Sequence, residues 1–261
     1  MFMPKLAANL SMMFQEHAFL DRFQAAADAG FKGVEFLFPY DFPAETVRAR
    51  LKEAGLEQAL FNLPPGDWEA GDRGFAAIPG REDSFGEALE LALDYADALD
   101  CPRLHVMSGM VPDGVSREAC TETLTANLRK AAPLAAKRGK TLIIEPINNI
   151  DMPGYFLNYQ AQAKSILEAV GADNVRLQFD LYHCQIMEGN LAVHMQDYLD
   201  LIEHIQIAGV PGRHEPDIGE INYRYLFDLM DELGYEGWVG CEYRPEAGTV
   251  DGLGWKKEWS L

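Results

Sequence analysis

A short apolar run, a turn and an amphipathic segment recur in this order along the chain, and this rhythm is the feature that most restricts its fold. Eight of the apolar runs are long enough to be strands, and segments with helical spacing of apolar residues separate them. Strands that alternate with helices are typical of parallel sheets, in which helices cover both faces and the strands are apolar throughout. Eight such units are the number that closes a (β/α)8 barrel, a TIM barrel.

Glycines and the helical period set the predicted boundaries. Strands are predicted at residues 5–11, 33–38, 57–63, 103–108, 141–147, 175–182, 203–208 and 238–243. Helices are predicted at residues 18–29, 44–54, 82–99, 117–138, 159–170, 191–199 and 223–233, with no clear helical period after the last strand. We expect one (β/α)8 barrel domain over residues 1–261. An open doubly wound sheet would need a glycine cluster after strand one, where the chain reads Asn-Leu-Ser-Met-Met-Phe.

Charge and cysteine usage limit the partners and the compartment. The chain has 22 Lys and Arg against 41 Asp and Glu, a formal net charge of −19. A protein this acidic repels a phosphate backbone, so nucleic acid is an unfavourable partner. The four cysteines form no CxxC pair, there is no cationic leader, and no apolar run approaches the length of a membrane span. We therefore expect a cytoplasmic protein with reduced thiols and no membrane partner.

Oxygen-bearing side chains fall at the ends of four consecutive predicted strands. Glu145 ends strand five, Asp180 ends strand six, Gln206 lies near the end of strand seven, and Glu242 ends strand eight. Neighbouring strands are about 4.8 Å apart, so these side chains can converge inside the mouth of a barrel. Carboxylates forced together either take up protons or recruit a cation. Glu145, Asp180, Gln206 and Glu242 offer only oxygen ligands, which suit Mg²⁺ or Mn²⁺; a single such carboxylate would more simply cap a helix.

Other polar residues leave two interpretations open. His183 follows strand six at the same end, whereas His105 and His204 lie inside strands and read as core residues. Arg213 follows strand seven and either holds an anionic or hydroxylated substrate or pairs with Glu215 or Asp217. The long irregular stretch 64–81 is either a lid or wall of the pocket or a plain surface loop.

These residues make the chain recognisable, because over essentially its whole length it resembles the hydroxypyruvate isomerase family. That family lies within the xylose isomerase-like barrels, which include the ketose 3-epimerases. The segments that carry the resemblance are 9–14 (NLSMMF), 33–41 (GVEFLFPYD), 62–68 (NLPPGDW), 145–148 (EPIN), 179–183 (FDLYH), 204–208 (HIQIA), 212–216 (GRHEP) and 240–245 (GCEYRP). Each segment is short, but all of them in this order are highly specific.

The resemblance implies interconversion of hydroxypyruvate and tartronate semialdehyde, small anionic hydroxy-carbonyl substrates. By analogy, Glu145 and Glu242 are the acid/base pair, and His183 and Arg213 contact the substrate. The implied ligands of a divalent metal are Glu145, Asp180, Gln206 and Glu242. The 3-epimerases usually have His where this chain has Gln206, and a neutral amide oxygen is the weaker ligand. Relatives also suggest a homo-oligomer, either a dimer or a tetramer.

The implied chemistry is a proton transfer through an enediolate. One carboxylate removes a proton from carbon, a second returns it to the neighbouring carbon, and a cation stabilises the charge on the two oxygens. Isomerisation of 2-oxo-tetronate and 3-epimerisation of a ketose need the same groups and stay open as alternatives. A DNA-repair endonuclease of the same barrel would need a basic face, and a sugar-acid-binding barrel without catalysis is the remaining class.

Overall fold

Eight parallel strands pair in chain order, and the last pairs with the first to close a barrel. The computed structural model describes residues 4–259, and these eight strands and the helices below are counted within that range. The strands are β1 (Lys5–Asn9), β2 (Gly33–Phe36), β3 (Glu57–Asn62), β4 (Arg103–His105), β5 (Thr141–Ile144), β6 (Val175–Asp180), β7 (Ile202–Ile207) and β8 (Trp238–Cys241). The predicted (β/α)8 barrel is confirmed.

Helices connect successive strands on the outside of the barrel. They are α1 (Arg22–Asp28), α2 (Ala44–Ala54), α3 (Glu82–Ala98), α4 (Arg117–Lys137), α5 (Gln160–Val170), α6 (Leu181–Met187), α7 (Leu191–Tyr198), α8 (Tyr223–Glu232) and α9 (Gly254–Glu258). The helix α2 ends at Gly55, whose φ of 64° is a left-handed conformation that glycine adopts without a steric penalty. None of the helices within the described range is long and apolar enough to cross a membrane.

The predicted strands were too long at their carboxyl ends. The fourth strand was predicted to continue to residue 108, but β4 ends at His105, and Val106 and Met107 follow it as buried, non-strand residues. Burial at the barrel mouth keeps residues apolar after strand pairing has stopped, so hydrophobicity alone places the strand end too late.

Two helices were not predicted. The sixth strand was predicted to reach residue 182, but the Asp180 side chain accepts a hydrogen bond of 2.8 Å from the backbone N–H of Tyr182 and begins α6 there. An aspartate that caps a helix in this way stops the strand and opens the helix at once. The short α9 lies in the glycine-containing segment where no helical period was found.

Strand register sets large polar residues against small ones inside the barrel. Asp180 of β6 pairs with Gln206 of β7, and Gln206 pairs with Gly240 of β8. A Cβ atom added to Gly240 would overlap the carboxylate of Glu35, which comes from β2. The missing side chain of Gly240 therefore leaves the space that the Glu35 carboxylate fills.

Two packing environments follow from this arrangement. Between the strands and the outer helices the buried side chains are apolar, for example Phe23, Leu93 and Leu128. Inside the barrel the side chains of several strands are polar, and Glu35 is only 1% exposed. The Glu35 carboxylate accepts hydrogen bonds from Asn9 Nδ2 at 3.0 Å and from Gln206 Nε2 at 2.8 Å.

We expect Gly240→Ala to lower the free energy of unfolding by about 1–3 kcal/mol, because the Glu35 carboxylate would lose buried hydrogen-bond donors. The matched control is Gly86→Ala in α3, where no atom outside the helix backbone lies within 4 Å of the added Cβ and alanine favours the helix by about 0.5–1 kcal/mol. Urea unfolding followed by circular dichroism measures both. A Gly240→Ala protein as stable as the unchanged chain would contradict this account of the barrel interior.

Candidate active site

The carboxyl ends of the strands surround a cavity of about 340 Å³. Glu145 directly follows β5 and Glu242 directly follows β8, so both side chains line this cavity. Asp180 ends β6, and Gln206 lies one residue before the end of β7. All four are buried. The structure therefore brings the four oxygen-bearing residues singled out in the sequence to one end of the barrel.

Three of the buried side chains form a group that could hold a metal ion. One ligand-type atom from each of Glu145, Asp180 and His183 lies within 4.8 Å of the other two. His183 Nε2 is 3.5 Å from Asp180 Oδ2 and 3.9 Å from Glu145 Oε1. Glu242 contributes no atom to this group, although Glu242 and Gln206 both line the same cavity.

Unpaired carboxylate oxygens show that the donor set fits a cation. Glu145 Oε1 and Asp180 Oδ2 are buried and accept no hydrogen bond from any residue in the described part of the chain. Buried polar atoms are normally paired, and Arg213 Nη2, at 3.6 Å from Asp180 Oδ2, is too distant for a hydrogen bond, so both oxygens can accept a further positive partner. Hard oxygen ligands are the type that Mg²⁺ and Mn²⁺ accept.

The hydrogen bonds of His183 assign its tautomer. Its Nδ1 lies 3.3 Å from the backbone N–H of Asn148 and 2.6 Å from the Asn148 side-chain Nδ2. Both of these groups are donors, so Nδ1 is the acceptor and Nε2 carries the hydrogen. Burial, with the charge of Arg213, lowers the pKa of His183 well below its ordinary value and keeps the ring neutral. His183 therefore presents an N–H to the cavity, which suits the predicted contact with a substrate oxygen better than metal ligation.

Arg213 lies among acidic side chains of the cavity. Its Nη2 is 3.6 Å from Asp180 Oδ2 and 3.5 Å from Glu242 Oε1, and its Nη1 is 3.8 Å from Asp151 Oδ2. A φ of 55°, in the left-handed region, turns this residue toward the barrel axis, and its Nε donates to the Glu242 backbone oxygen at 3.3 Å. Among the residues the structure describes, Arg213 makes no ion pair with Glu215 or Asp217, so the surface-pair alternative for Arg213 is wrong.

Crowding shifts the ionisation of the three carboxyl groups. Burial and the charges of Glu242 and Asp180 raise the pKa of Glu145 well above its ordinary range. Burial raises the pKa of Glu242 to about 8 although the charge of Arg213 opposes the rise. Burial raises the pKa of Asp180 to about 6, against the opposing charge of Arg213. Without a bound cation, the cluster holds protons near neutral pH.

The sequence analysis missed Glu35, whose carboxylate lies below this cluster. It accepts from His204 Nε2 at 2.6 Å, in addition to Asn9 and Gln206. The signal was present, because a glutamate interrupts the apolar strand Gly33–Phe36. Glu35 lies inside its strand rather than at its end, and the barrel interior supplies the several donors that a buried charge needs.

Glu35 also fixes the direction of the Gln206 side chain. A carboxylate only accepts, so Gln206 turns its NH₂ toward Glu35 and its oxygen away from it. That oxygen accepts a hydrogen bond of 2.6 Å from Gln178 Nε2. The ligand role of Gln206 stays a prediction: its oxygen points away from Glu35, and one lone pair of that oxygen is already used by Gln178.

The prediction that both strand histidines are core residues is correct for His204 and wrong for His105. His204 is fully buried against Glu35, which confirms its core position. His105 is also buried, but it lines the cavity with its Nε2 3.6 Å from Glu145 Oε2. Burial and the neighbouring His204 lower the pKa of His105 to about 3, so its ring stays neutral.

The irregular stretch after β3 forms part of the cavity wall. Trp68 and Arg73 both line the cavity, and the Arg73 guanidinium stacks on the Trp68 ring at 3.6 Å from its centroid. The Trp68 ring also contacts Phe38, with a centroid separation of 5.6 Å. Of the two interpretations of residues 64–81, the pocket wall is the correct one.

Comparison with known proteins identifies the group to which this architecture belongs. A relative from Cupriavidus necator named 2-oxo-tetronate isomerase is 58% identical over 98% of this chain and 99% of its own. A relative from Escherichia coli named hydroxypyruvate isomerase is 47% identical over 97% of this chain and 98% of its own.

Solved structures and a family model match the same barrel fold. A crystal structure described as AP endonuclease, family 2 from Brucella melitensis is 52% identical, with a TM-score of 0.96 over 98% of this chain and 99% of that one. The 3-keto-D-glucoside 4-epimerase YcjR from E. coli shares the fold, with a TM-score of 0.81 over 98% of this chain and all of that one, at 22% identity. The model of the xylose isomerase-like TIM barrel family matches residues 23–259. The chain thus belongs to the xylose isomerase-like TIM barrel family.

Proposed function

We propose that the chain is an isomerase that converts a short 3-hydroxy-2-oxo acid into its 2-hydroxy-3-oxo isomer. One observation carries the proposal: Glu145 and Glu242 line a single cavity in which Arg213 and the neutral His183 offer hydrogen-bond donors to substrate oxygens. Relatives at 58% and 47% identity both have isomerase names, which supports this reaction type.

The reaction moves two protons and leaves the carbon chain intact. A carboxylate takes the proton from C3, the electrons of that C–H bond form the C2–C3 double bond, and the C2 carbonyl oxygen gains negative charge. The second carboxyl group delivers a proton to C2, while the O3 hydroxyl proton passes to O2. In the cation-free protein, burial raises the pKa of Glu242 to about 8, so this group can hold a proton near neutral pH, and the pKa of Glu145 is raised as well.

Two cavity residues hold the substrate oxygens during this transfer. The Nε2–H of His183 donates to one oxygen, and its direction is fixed because Asn148 occupies Nδ1. Arg213 lies between Glu242 and Asp180 and supplies a permanent positive charge beside the oxygen that becomes anionic. We propose that Glu145 and Asp180 hold a divalent cation, Mg²⁺ or Mn²⁺, with Gln206 and Glu242 as further ligands. When bound, this cation supplies Lewis acidity that stabilises the enediolate charge.

The substrate is proposed to be 2-oxo-tetronate, with hydroxypyruvate as a shorter alternative. Both acids have the 3-hydroxy-2-oxo group that the two glutamates require, and they differ by one carbon. The relative named for 2-oxo-tetronate shares 58% of its residues with this chain, against 47% for the relative named for hydroxypyruvate. The resemblance in sequence implied hydroxypyruvate first and 2-oxo-tetronate as an alternative, and these identities reverse that order.

The Brucella melitensis protein is described as an AP endonuclease, which is a different class of function. The net charge of this chain, −19 over 261 residues, disfavours an endonuclease function. A DNA phosphate backbone binds to a basic surface, and the acidic groups of this chain repel it. The arginines that line the cavity are matched there by four acidic residues, Glu35, Glu145, Asp151 and Glu242. Proton transfer on a small acid is the function that this charge distribution favours.

A substrate panel tests the proposal. The purified protein with added Mg²⁺ or Mn²⁺ is assayed on 2-oxo-tetronate, hydroxypyruvate, a free ketose and an abasic DNA duplex. We expect kcat/KM to be highest for 2-oxo-tetronate and at least about 10-fold lower for the ketose, which lacks the carboxylate. Cleavage of the DNA, or binding of the acids without turnover, would refute the isomerase proposal.

Replacing either glutamate should abolish isomerisation without unfolding the chain. We expect Glu145→Gln and Glu242→Gln to lower kcat by at least about 100-fold, because each removes one proton-transfer group. In D₂O, the variant that keeps the C3 base should still exchange the C3 hydrogen of the 2-oxo acid. The matched control is Glu203→Gln, whose carboxylate pairs with Arg103 and does not line the cavity. Near-normal activity in both cavity variants would contradict the assignment.

Binding of a divalent cation should release protons and become weaker in acid. The raised pKa values of Glu145 and Glu242 mean that the free protein holds protons near neutral pH, and a cation binds only the ionised carboxylates. Mn²⁺ titrations by calorimetry, in two buffers of different ionisation enthalpy at pH 6 and pH 8, measure the released protons. Asp180→Asn is the variant in which binding should disappear. Affinity that does not change with pH would argue against these ligands.

A further inference from the structure

We propose that Arg73, on the loop after β3, binds the substrate carboxylate and so selects 2-oxo acids over uncharged sugars. The inference rests on the proposed function for its substrate, but its structural basis is separate from the proton-transfer groups. It concerns an arginine of the cavity wall that has no part in the carboxylate cluster described above.

Charge in the cavity creates the need for such a group. Arg213 is already surrounded by the carboxylates of Asp151, Asp180 and Glu242. An anionic substrate that relied on Arg213 alone would enter a site where acidic groups outnumber that cation. Even with the divalent cation proposed above, Arg213 is shared among three protein carboxylates, so an arginine that no carboxylate occupies is the better partner for the substrate carboxylate.

Arg73 meets this requirement because its charge is not neutralised by a carboxylate. Within residues 4–259 it makes no ion pair; its Nη1 donates to the backbone oxygens of Trp68 at 2.9 Å and Asp72 at 2.7 Å. A guanidinium has five N–H donors in a fixed plane, and these two bonds use only one nitrogen. The other nitrogens remain for a bidentate pair with a carboxylate.

The loop holds the Arg73 guanidinium in place before any ligand arrives. Residues 67 and 72 are joined by a backbone hydrogen bond of 2.9 Å, and Gly74 N–H donates to the Pro65 oxygen at 2.8 Å. Gly74 has a φ of 96°, and a Cβ there would overlap the Met107 backbone after β4. The Trp68 ring supports one face of the guanidinium at 3.6 Å. A positioned cation of this kind lowers the entropy cost of binding an anion.

Arg244 is the competing candidate, since it also lines the cavity. Its side chain is exposed to solvent, whereas that of Arg73 is half-buried against Trp68. Burial strengthens an ion pair and exposure weakens it. Arg73 is therefore the stronger anion site of the two.

The test measures binding independently of turnover. The probes are glycerate, which has the carboxylate but no oxo group to isomerise, and glyceramide, its uncharged amide. Calorimetry is carried out on the unchanged protein and on Arg73→Gln, Arg73→Lys and Arg244→Gln. Arg81→Gln is the loop control, because Arg81 pairs with Asp72 of the same loop at 3.4 Å but does not line the cavity.

We expect Arg73→Gln to weaken glycerate binding by about 10-fold to 100-fold, the range for lost charge-assisted hydrogen bonds, and to leave glyceramide binding within about twofold. Arg73→Lys should recover part of the loss, and Arg81→Gln should behave like the unchanged protein. In turnover of 2-oxo-tetronate, Arg73→Gln should raise KM with little change in kcat.

Three results would overturn the proposal. Equal losses for glycerate and glyceramide, or the same loss in Arg81→Gln, would mean that Arg73 only maintains the loop. A loss of the preference for glycerate in Arg244→Gln but not in Arg73→Gln would place the carboxylate at Arg244. If the unchanged protein prefers glycerate through Arg73 yet isomerises no 2-oxo acid, the carboxylate site stands and the proposed reaction fails.

Discussion

The close approach of buried carboxylates around one guanidinium is the constraint on which the rest of the site depends. Glu145, Asp180 and Glu242 are each almost excluded from water, and Arg213 is the cation nearest to them. One positive charge does not balance three negative charges, so the excess is met by protons or by a bound cation. The raised pKa values and the orphaned oxygens on Glu145 and Asp180 are two consequences of this imbalance.

The closed barrel is what keeps these charges together. Parallel strands end at one rim, so residues far apart in sequence become neighbours without a dedicated loop to carry them. The strand register then sets how far along the barrel each side chain lies. Asp180 pairs with Gln206, and Gln206 pairs with Gly240. The absent side chain at Gly240 admits the Glu35 carboxylate, which in turn orients the amide of Gln206. The residues below the cavity, Glu35 and Gly240, therefore position the Gln206 side chain that lines the cavity.

The sequence predicted the barrel and the residues at its rim because both depend on local patterns. A shift of two or three residues at a strand end does not change which rim Glu145 or Glu242 reaches, so the predicted site residues were correctly placed although the fourth strand was predicted too long. Glu35 and Arg73 were missed for a different reason. Their roles depend on contacts with Gln206 and Trp68, from distant or irregular segments, and no periodicity reports such contacts. The capping role of Asp180 was hidden because the same residue also ends an apolar strand.

The contacts of Gln206 decide which end of its amide can meet a cation. An amide can bind in either direction, and only its oxygen is a metal ligand. The Glu35 carboxylate accepts a hydrogen bond of 2.8 Å from Gln206 Nε2. This bond excludes the flipped orientation, in which the amide oxygen would face Glu35. Gln178 then donates to the oxygen at 2.6 Å, which leaves that atom with one free lone pair and a weaker pull on a cation. If the proposed cation binds here, most of the attraction comes from Glu145 and Asp180, because each keeps a buried carboxylate oxygen that accepts no hydrogen bond.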